Sequence, residues 1–277
     1  MSKKRILVTG ASTGIGHACA VRFAELGYTV FAGVRKLSDD QALREDSSGD
    51  LRSVLLDVTL SESIQGALAA VGDEPLAGLV NNAGIAVMGP LELVPIEAWR
   101  RQFEVNVLGL VAVTQAFLPL LRAKPGRIVN IGSIAGRSAL PASGAYDASK
   151  FAVEAITDAL RMELQSWNIF VSVIEPGSVA TPIWQKSLSG VDDLRERVAP
   201  ESYALYATLM AKVREEAAAS ARKAIPVSEV VKAVEHALTA DRPKTRYLVG
   251  SDTRLWLLLN CLPDKWRDWV ILSRLNG

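Results

Sequence analysis

The sequence predicts an α/β protein built on a doubly wound parallel sheet of about seven strands. Two patterns carry that expectation. Apolar, often β-branched runs alternate with longer stretches of helical spacing, and the runs are apolar almost throughout rather than at every second residue, as in strands buried on both faces. In addition, a glycine cluster follows the first such run, where sheets of this kind hold ligands.

The elements follow in order. Residues 5–9 form a short strand ending at Gly10. Residues 14–27 place Ile15, Ala18, Cys19, Phe23 and Leu26 at helical spacing and stop at Gly27. Residues 28–34 and 51–58 read as strands, 60–71 as a helix, and 78–82 as a strand running into Ala83-Gly84. A long helix is expected over 96–121, a strand over 127–133, a helix over 145–167 and a strand over 169–175 before Pro176-Gly177. The last pair is a helix over 227–240 and a strand over 246–250. One domain spans 1–277, since no repeat or linker divides it.

The alternation lapses twice. Residues 183–226 are charged and helical and follow a strand's carboxyl end, so they are expected to form a substrate lid; the plainer reading is a surface helical pair. Residues 252–277 are rich in Leu and Trp. They read first as a segment closing the pocket or core edge, then as a subunit interface, and least as a membrane anchor with Lys265, Arg267 and Arg274 outward.

Composition narrows the function. A net charge of +1 and no long basic run argue against nucleic acid. Two separated cysteines, Cys19 and Cys261, suggest a reducing compartment, and two histidines without a CxxC offer no metal set. The basic start gives way to an apolar run that breaks at Thr9-Gly10, too short for a signal peptide, and no stretch reads as the ~20 apolar residues of a membrane helix. A cytoplasmic protein is expected.

The turn Thr9-Gly10-Ala11-Ser12-Thr13-Gly14-Ile15-Gly16 opens a helix after the first strand. A helix N-terminus offers free N–H groups and a positive dipole end to a pyrophosphate, and glycines let it approach. The alternative is a merely structural tight turn. The spacing G-x-x-x-G-x-G resembles the cofactor turn of the short-chain dehydrogenase/reductase family. Asn81-Asn82-Ala83-Gly84 is similar to that family's NNAG motif, and Pro176-Gly177 with Thr181 to its PG segment. The resemblance covers about residues 5–250. It implies a single-domain Rossmann-type fold, adenine contact by Asp57 and Val58, turn contacts by Gly10, Ser12, Thr13, Gly14, Ile15 and Gly16, and further contacts from Asn82, Ala83 and Gly84. Pro176, Gly177, Val179 and Thr181 would lie beside the nicotinamide. NNAG has a structural share in that family as well.

Tyr146 and Lys150 are four apart in a helical stretch and share one face. Ser133 lies at a strand's carboxyl end, where a ligand site is expected. With Asn106 these complete a set resembling the family's Asn-Ser-Tyr-Lys tetrad. Ketone reduction needs a proton at oxygen as hydride reaches carbon. A lysine ammonium and an oxidised nicotinamide would draw the tyrosine down from ~10, so Tyr146 would be general acid or base. Ser133 would hydrogen-bond the substrate oxygen. By resemblance, Lys150 also holds the nicotinamide ribose, and Asn106 supports a proton-relaying water.

No acid ends the second strand and Arg35 follows it, which favours NADP(H) with NAD(H) as the alternative. The bland reading of Arg35 is a solvated charge paired with Asp39 or Asp40. Residues 31–35 and 246–250 resemble the hydroxysteroid and retinol dehydrogenase branch, which implies a lipophilic alcohol or ketone. Ala135, Leu140, Pro141, Val179, Ile183 and Trp184 are compatible with such a pocket or with plain packing. The resemblance implies a homodimer or homotetramer built partly on 96–121 and 145–167. A regulatory scaffold without turnover, or a redox-neutral epimerase or dehydratase, are the alternatives.

Overall fold

A computed structural model describes residues 3–183, 194–250 and 253–276. Seven strands pair in the order β3-β2-β1-β4-β5-β6-β7. They are β1 (Arg5–Val8), β2 (Thr29–Val34), β3 (Leu51–Leu55), β4 (Gly78–Asn81), β5 (Arg127–Ile131), β6 (Phe170–Pro176) and β7 (Arg246–Val249). Every pairing is parallel. This is the doubly wound sheet the apolar runs predict. Consecutive residues of one strand feed opposite layers, which is why the runs lack alternation: Ile6 and Val8 join one core, Leu7 the other.

The first core is closed by α1 (Gly14–Glu25) and α9 (Val227–Thr239), through Phe23, Val230 and Val234. The second is closed by α3 (Ser61–Val71) and α5 (Gly109–Ala123), through Ile64, Val113 and Phe117. α4 (Ile96–Phe103) leads into α5, and α6 (Gly144–Glu163) packs along β6. From β1 the chain winds outward to β3, then returns to place β4 on the other side of β1. That reversal opens a crevice beyond the strands' carboxyl ends.

Buried amides brace the sheet below the crevice. Asn81 Nδ2 donates to Thr114 Oγ1 and to Asn130 Oδ1, both at 2.9 Å, and Asn130 Nδ2 donates to Thr157 Oγ1 at 2.9 Å. These bonds tie β4 and β5 to α5 and α6, and they place the first asparagine of Asn81-Asn82 in a structural role.

The structure departs from the sequence reading in four places. The single helix expected over 96–121 is broken by a π-helical segment, Glu104–Leu108, between α4 and α5. A short helix, α2 (Asp40–Glu45), lies between β2 and β3, where the sequence reading has no element. The third strand stops at Leu55, so Asp57 sits in a turn, its Oδ1 accepting from Thr59 N at 3.0 Å and Thr59 Oγ1 at 2.7 Å. Finally, the run Ile96–Ala123 is long and apolar enough by composition to cross a membrane, contrary to the expectation that no stretch is. Its apolar face is nevertheless spent on the sheet, with Val113, Phe117 and Leu121 fully buried.

In the two lapses, α7 (Pro200–Leu205) and α8 (Ala207–Arg222) occupy the second half of the expected lid, and Trp184 lies outside the described residues. The tail forms α10 (Thr253–Leu259) and α11 (Asp264–Asn276), the latter packed on α8.

Candidate active site

The glycine turn is shaped by its backbone. Gly10 and Gly14 hold φ of +63° and +62°, which side chains with a Cβ rarely adopt. Asn82 staples the turn to β4: its Nδ2 donates to the carbonyls of Thr9 and Gly10, each at 3.0 Å. In return, Thr9 Oγ1 accepts from the backbone N–H groups of Asn82 and Ala83, each at 2.9 Å. Gly16 is packed rather than open, since a Cβ there would strike Asn82 Nδ2 and Gly10 O.

Beyond the turn lies a cavity of about 480 Å³. Gly10, Ser12, Thr13, Gly14, Ile15, Arg35, Asp57, Val58, Asn82, Ala83 and Gly84 line one part of it, and Ser133, Tyr146, Lys150, Pro176, Gly177, Val179 and Thr181 line the other. Thr13, the N-cap of α1, makes no side-chain capping bond, so no side chain competes for the first N–H groups of that helix. An elongated groove that begins at an uncapped helix start fits a dinucleotide. Arg35 is exposed at the groove's edge and has no ion-pair partner among the described residues; Asp39 does not pair with it, and the Asp40 side chain lies outside them. Gly16 and Asn106, both expected in the site, do not line the cavity.

Asn106 lies in the π-helical segment, 3% exposed. Its Oδ1 accepts from Ile85 N at 2.9 Å, while its Nδ2 donates to Ile85 O at 3.0 Å and Ser149 Oγ at 3.1 Å. The side chain therefore clamps the loop following Gly84 against α6. The wider turn of a π segment aims it there.

Tyr146 and Lys150 share the inward face of α6, both buried. Ser133 caps the short 3₁₀ turn Ile134–Gly136, its Oγ accepting from Ala135 N at 3.1 Å, and lines the same cavity as Tyr146. Lys150 Nζ donates to Ile131 O at 2.8 Å and sits 5.8 Å from the Tyr146 ring centroid. Burial pushes the Tyr146 phenol up to about 12, against the influence of the Ser133 hydroxyl, and pulls Lys150 down to about 8, against the charge of Glu154. The expected lowering of Tyr146 by Lys150 is thus not present in the protein alone. Desolvation outweighs it and keeps the phenol protonated.

A second cavity of about 220 Å³ adjoins the first and shares Ser133, Tyr146 and Gly177 with it. Met88, Ile134, Ala135, Leu140, Pro141, Val213, Trp256 and Ile271 supply its apolar wall. Of the residues proposed from sequence, Ala135, Leu140 and Pro141 face this cavity, whereas Val179 and Ile183 face the first. Trp256 and Ile271 show that part of the tail closes this pocket; Leu258, Trp266 and Trp269 of the same tail are exposed. Sequence reasoning missed Arg101 and Glu104, which line the first cavity from the turn before Asn106, and Asp147, which lines the second beside Tyr146.

The short chain dehydrogenase family model matches residues 4–192. The chain is 36% identical to retinol dehydrogenase 5 of Mus musculus, over 96% of this chain and 87% of that one. It is 35% identical to 17-beta-hydroxysteroid dehydrogenase type 6 of Bos taurus, over 98% and 88%. It is 34% identical to an NADPH-dependent 3-dehydrocapnine reductase of Ornithobacterium rhinotracheale, over 98% and 96%. A solved short chain dehydrogenase from Burkholderia cenocepacia, in complex with NADP, superposes with a TM-score of 0.73 at 27% identity, covering 98% of each chain.

Proposed function

The chain belongs to the short chain dehydrogenase family, in its hydroxysteroid and retinol dehydrogenase branch, and on that premise we propose that it interconverts a lipophilic ketone and alcohol with NADP(H) as its preferred cofactor. The observation that carries this reading is the meeting of the two cavities at Ser133, Tyr146 and Gly177. A polar groove suited to a dinucleotide and an apolar pocket suited to a carbonyl compound share one proton donor.

When bound, the nicotinamide supplies or accepts the hydride. Gly10, Ser12, Thr13, Gly14 and Ile15 would hold its phosphates, Arg35 a 2′-phosphate, Asp57 and Val58 its adenine, and Thr181 its carboxamide end. Lys150 would hold the ribose hydroxyls. Tyr146, kept protonated by burial, donates its proton to the substrate oxygen in reduction. Ser133, lining the same junction as that phenol, would share the developing charge on oxygen. Oxidation runs the proton back to Tyr146, and there a bound cationic ring would draw the phenol down from about 12.

The apolar wall favours a lipophilic substrate. The exposed Leu108, Phe151 and Met162 on the long helices support a homo-oligomer.

A spectrophotometric screen of NADPH and NADH against small ketones, retinal and ketosteroids tests the reading. NADPH consumption with a ketone is expected, and Tyr146→Phe should reduce turnover by about 10²–10⁴-fold while leaving NADPH affinity in place. Undiminished turnover in that variant would refute the assignment of Tyr146. Cofactor binding without turnover on any substrate would favour the scaffold reading.

A further inference from the structure

Behind Lys150 lies a buried charge cluster that the proposed chemistry does not use. Glu154 is one turn further along α6 and only 7% exposed. Its Oε2 pairs with Arg246 of β7, but its Oε1 is buried with no hydrogen-bond partner among the described residues. That free oxygen lies against the end of β5: a Cβ on Gly132 would stand 3.1 Å from it. The neighbouring residue, Ile131, is the one whose carbonyl receives the Lys150 ammonium. Gly136 lets the loop after Ser133 close on the same corner, its Cβ position lying 3.0 Å from Glu154 Cγ and 2.8 Å from Lys150 O.

The charges around Glu154 come from every packed element. Glu175 on β6 accepts from Arg246 at 2.9 Å and pairs with Arg137, from the loop after Ser133, at 3.5 Å. Asp158 on α6 holds the other arm of Arg246 at 2.5 Å. Arg161 also pairs with Asp158, at 3.2 Å. Lys150 makes no ion pair with Glu154 within 4 Å among the described residues, but its Nζ is held at the same end of β5 that the free oxygen faces.

We infer that Glu154 is a positioning residue for Lys150, its carboxylate, one turn along α6 and facing the same end of β5, keeping the lysine ammonium charged at the cofactor groove. The inference rests on the proposed role of Lys150 at the cofactor. Two shifts agree with it. Lys150 is pulled down to about 8 by burial, and Glu154 is the charge that opposes the fall. Glu154 itself is pushed up to about 7 by burial and by Glu175, against Arg246 and Arg137. Glu154 thus owes its charge to Arg246 and Arg137, and its own charge supports that of Lys150.

The test is the pH dependence of NADPH affinity, read by fluorescence without any substrate from about pH 6 to about pH 10. Wild-type affinity is expected to fall as pH rises through the Lys150 value, and Lys150→Met should abolish that limb. In Glu154→Gln the limb should move down by about one pH unit, as expected for losing an opposite charge at this range. Glu154→Asp, which keeps the charge, should recover at least half of the shift and serves if the glutamine variant folds poorly. A limb unmoved in Glu154→Gln, with only the melting temperature lowered, would make Glu154 a structural brace and overturn the inference. A limb that persists in Lys150→Met would instead overturn the role of Lys150, and the inference with it.

Discussion

Arg35→Ala is the sharpest test of cofactor choice. Arg35 is exposed at the end of β2, lines the groove and has no ion-pair partner among the described residues, so its removal breaks no salt bridge there. A hydrogen bond to a charged group contributes about 1.5–3 kcal/mol, and solvent exposure reduces it, which leaves about 1–2 kcal/mol for a 2′-phosphate. That is a loss of about 5- to 30-fold in NADPH affinity. NADH lacks the phosphate, so its affinity should change by less than about twofold. Fluorescence titration of both nucleotides, at low and high salt, gives the ratio directly. The NADPH advantage in wild type should also shrink with salt, because an exposed pair is screened. Equal weakening of both nucleotides, or no change in either, would refute the phosphate-reading role.

Three other perturbations separate packing from chemistry. Gly16→Ala drives a Cβ into Asn82 Nδ2 and Gly10 O, so it should weaken NADPH and NADH alike and lower stability by about 1–3 kcal/mol; loss of NADPH alone would count against this account. Asn130→Ala strands the Asn81 amide beside Thr114 and should cost about 2–4 kcal/mol in urea unfolding, so a change below about 1 kcal/mol would mean the amide chain is not a brace. Asp147 is pushed from 3.8 up to about 6 by burial. A raised carboxylate favours the fold below its unfolded value, and that advantage is lost as pH rises through about 6. Asp147→Asn should therefore gain stability relative to wild type between about pH 4 and about pH 6, and a difference constant across that range would refute the shift.

The fold was legible because its signal is local and repeated. The inner strands are apolar on both faces, so their runs stand out without knowledge of their partners, and the alternation with helices leaves few topologies. What escaped was set by contacts distant in sequence. The π segment Glu104–Leu108 leaves no mark in periodicity, because its wider turn serves Asn106, whose partners Ile85 and Ser149 lie on other elements. The sequence reading finds no stretch of ~20 apolar residues, whereas the length and mean hydropathy of Ile96–Ala123 suffice for a span; only the burial of Val113 and Phe117 shows where its apolar face goes.

The site was legible as a set of residues but not as a set of charge states. Spacing puts Tyr146 and Lys150 on one face of a helix, and it cannot report that both are buried. Burial acts on the two in opposite senses, raising the phenol and lowering the ammonium, because each change favours the neutral form. Burial, with the neighbouring Asp147 charge, is what holds Tyr146 high in the protein alone. The direction of catalysis then divides the labour. Reduction needs only the protonated phenol that burial supplies, whereas oxidation needs a phenolate and hence more positive charge beside Tyr146. Groups that hold Lys150 charged should therefore matter more to alcohol oxidation than to ketone reduction. Glu154→Gln accordingly should slow oxidation at neutral pH more than reduction, and an equal effect on both rates would sink this division.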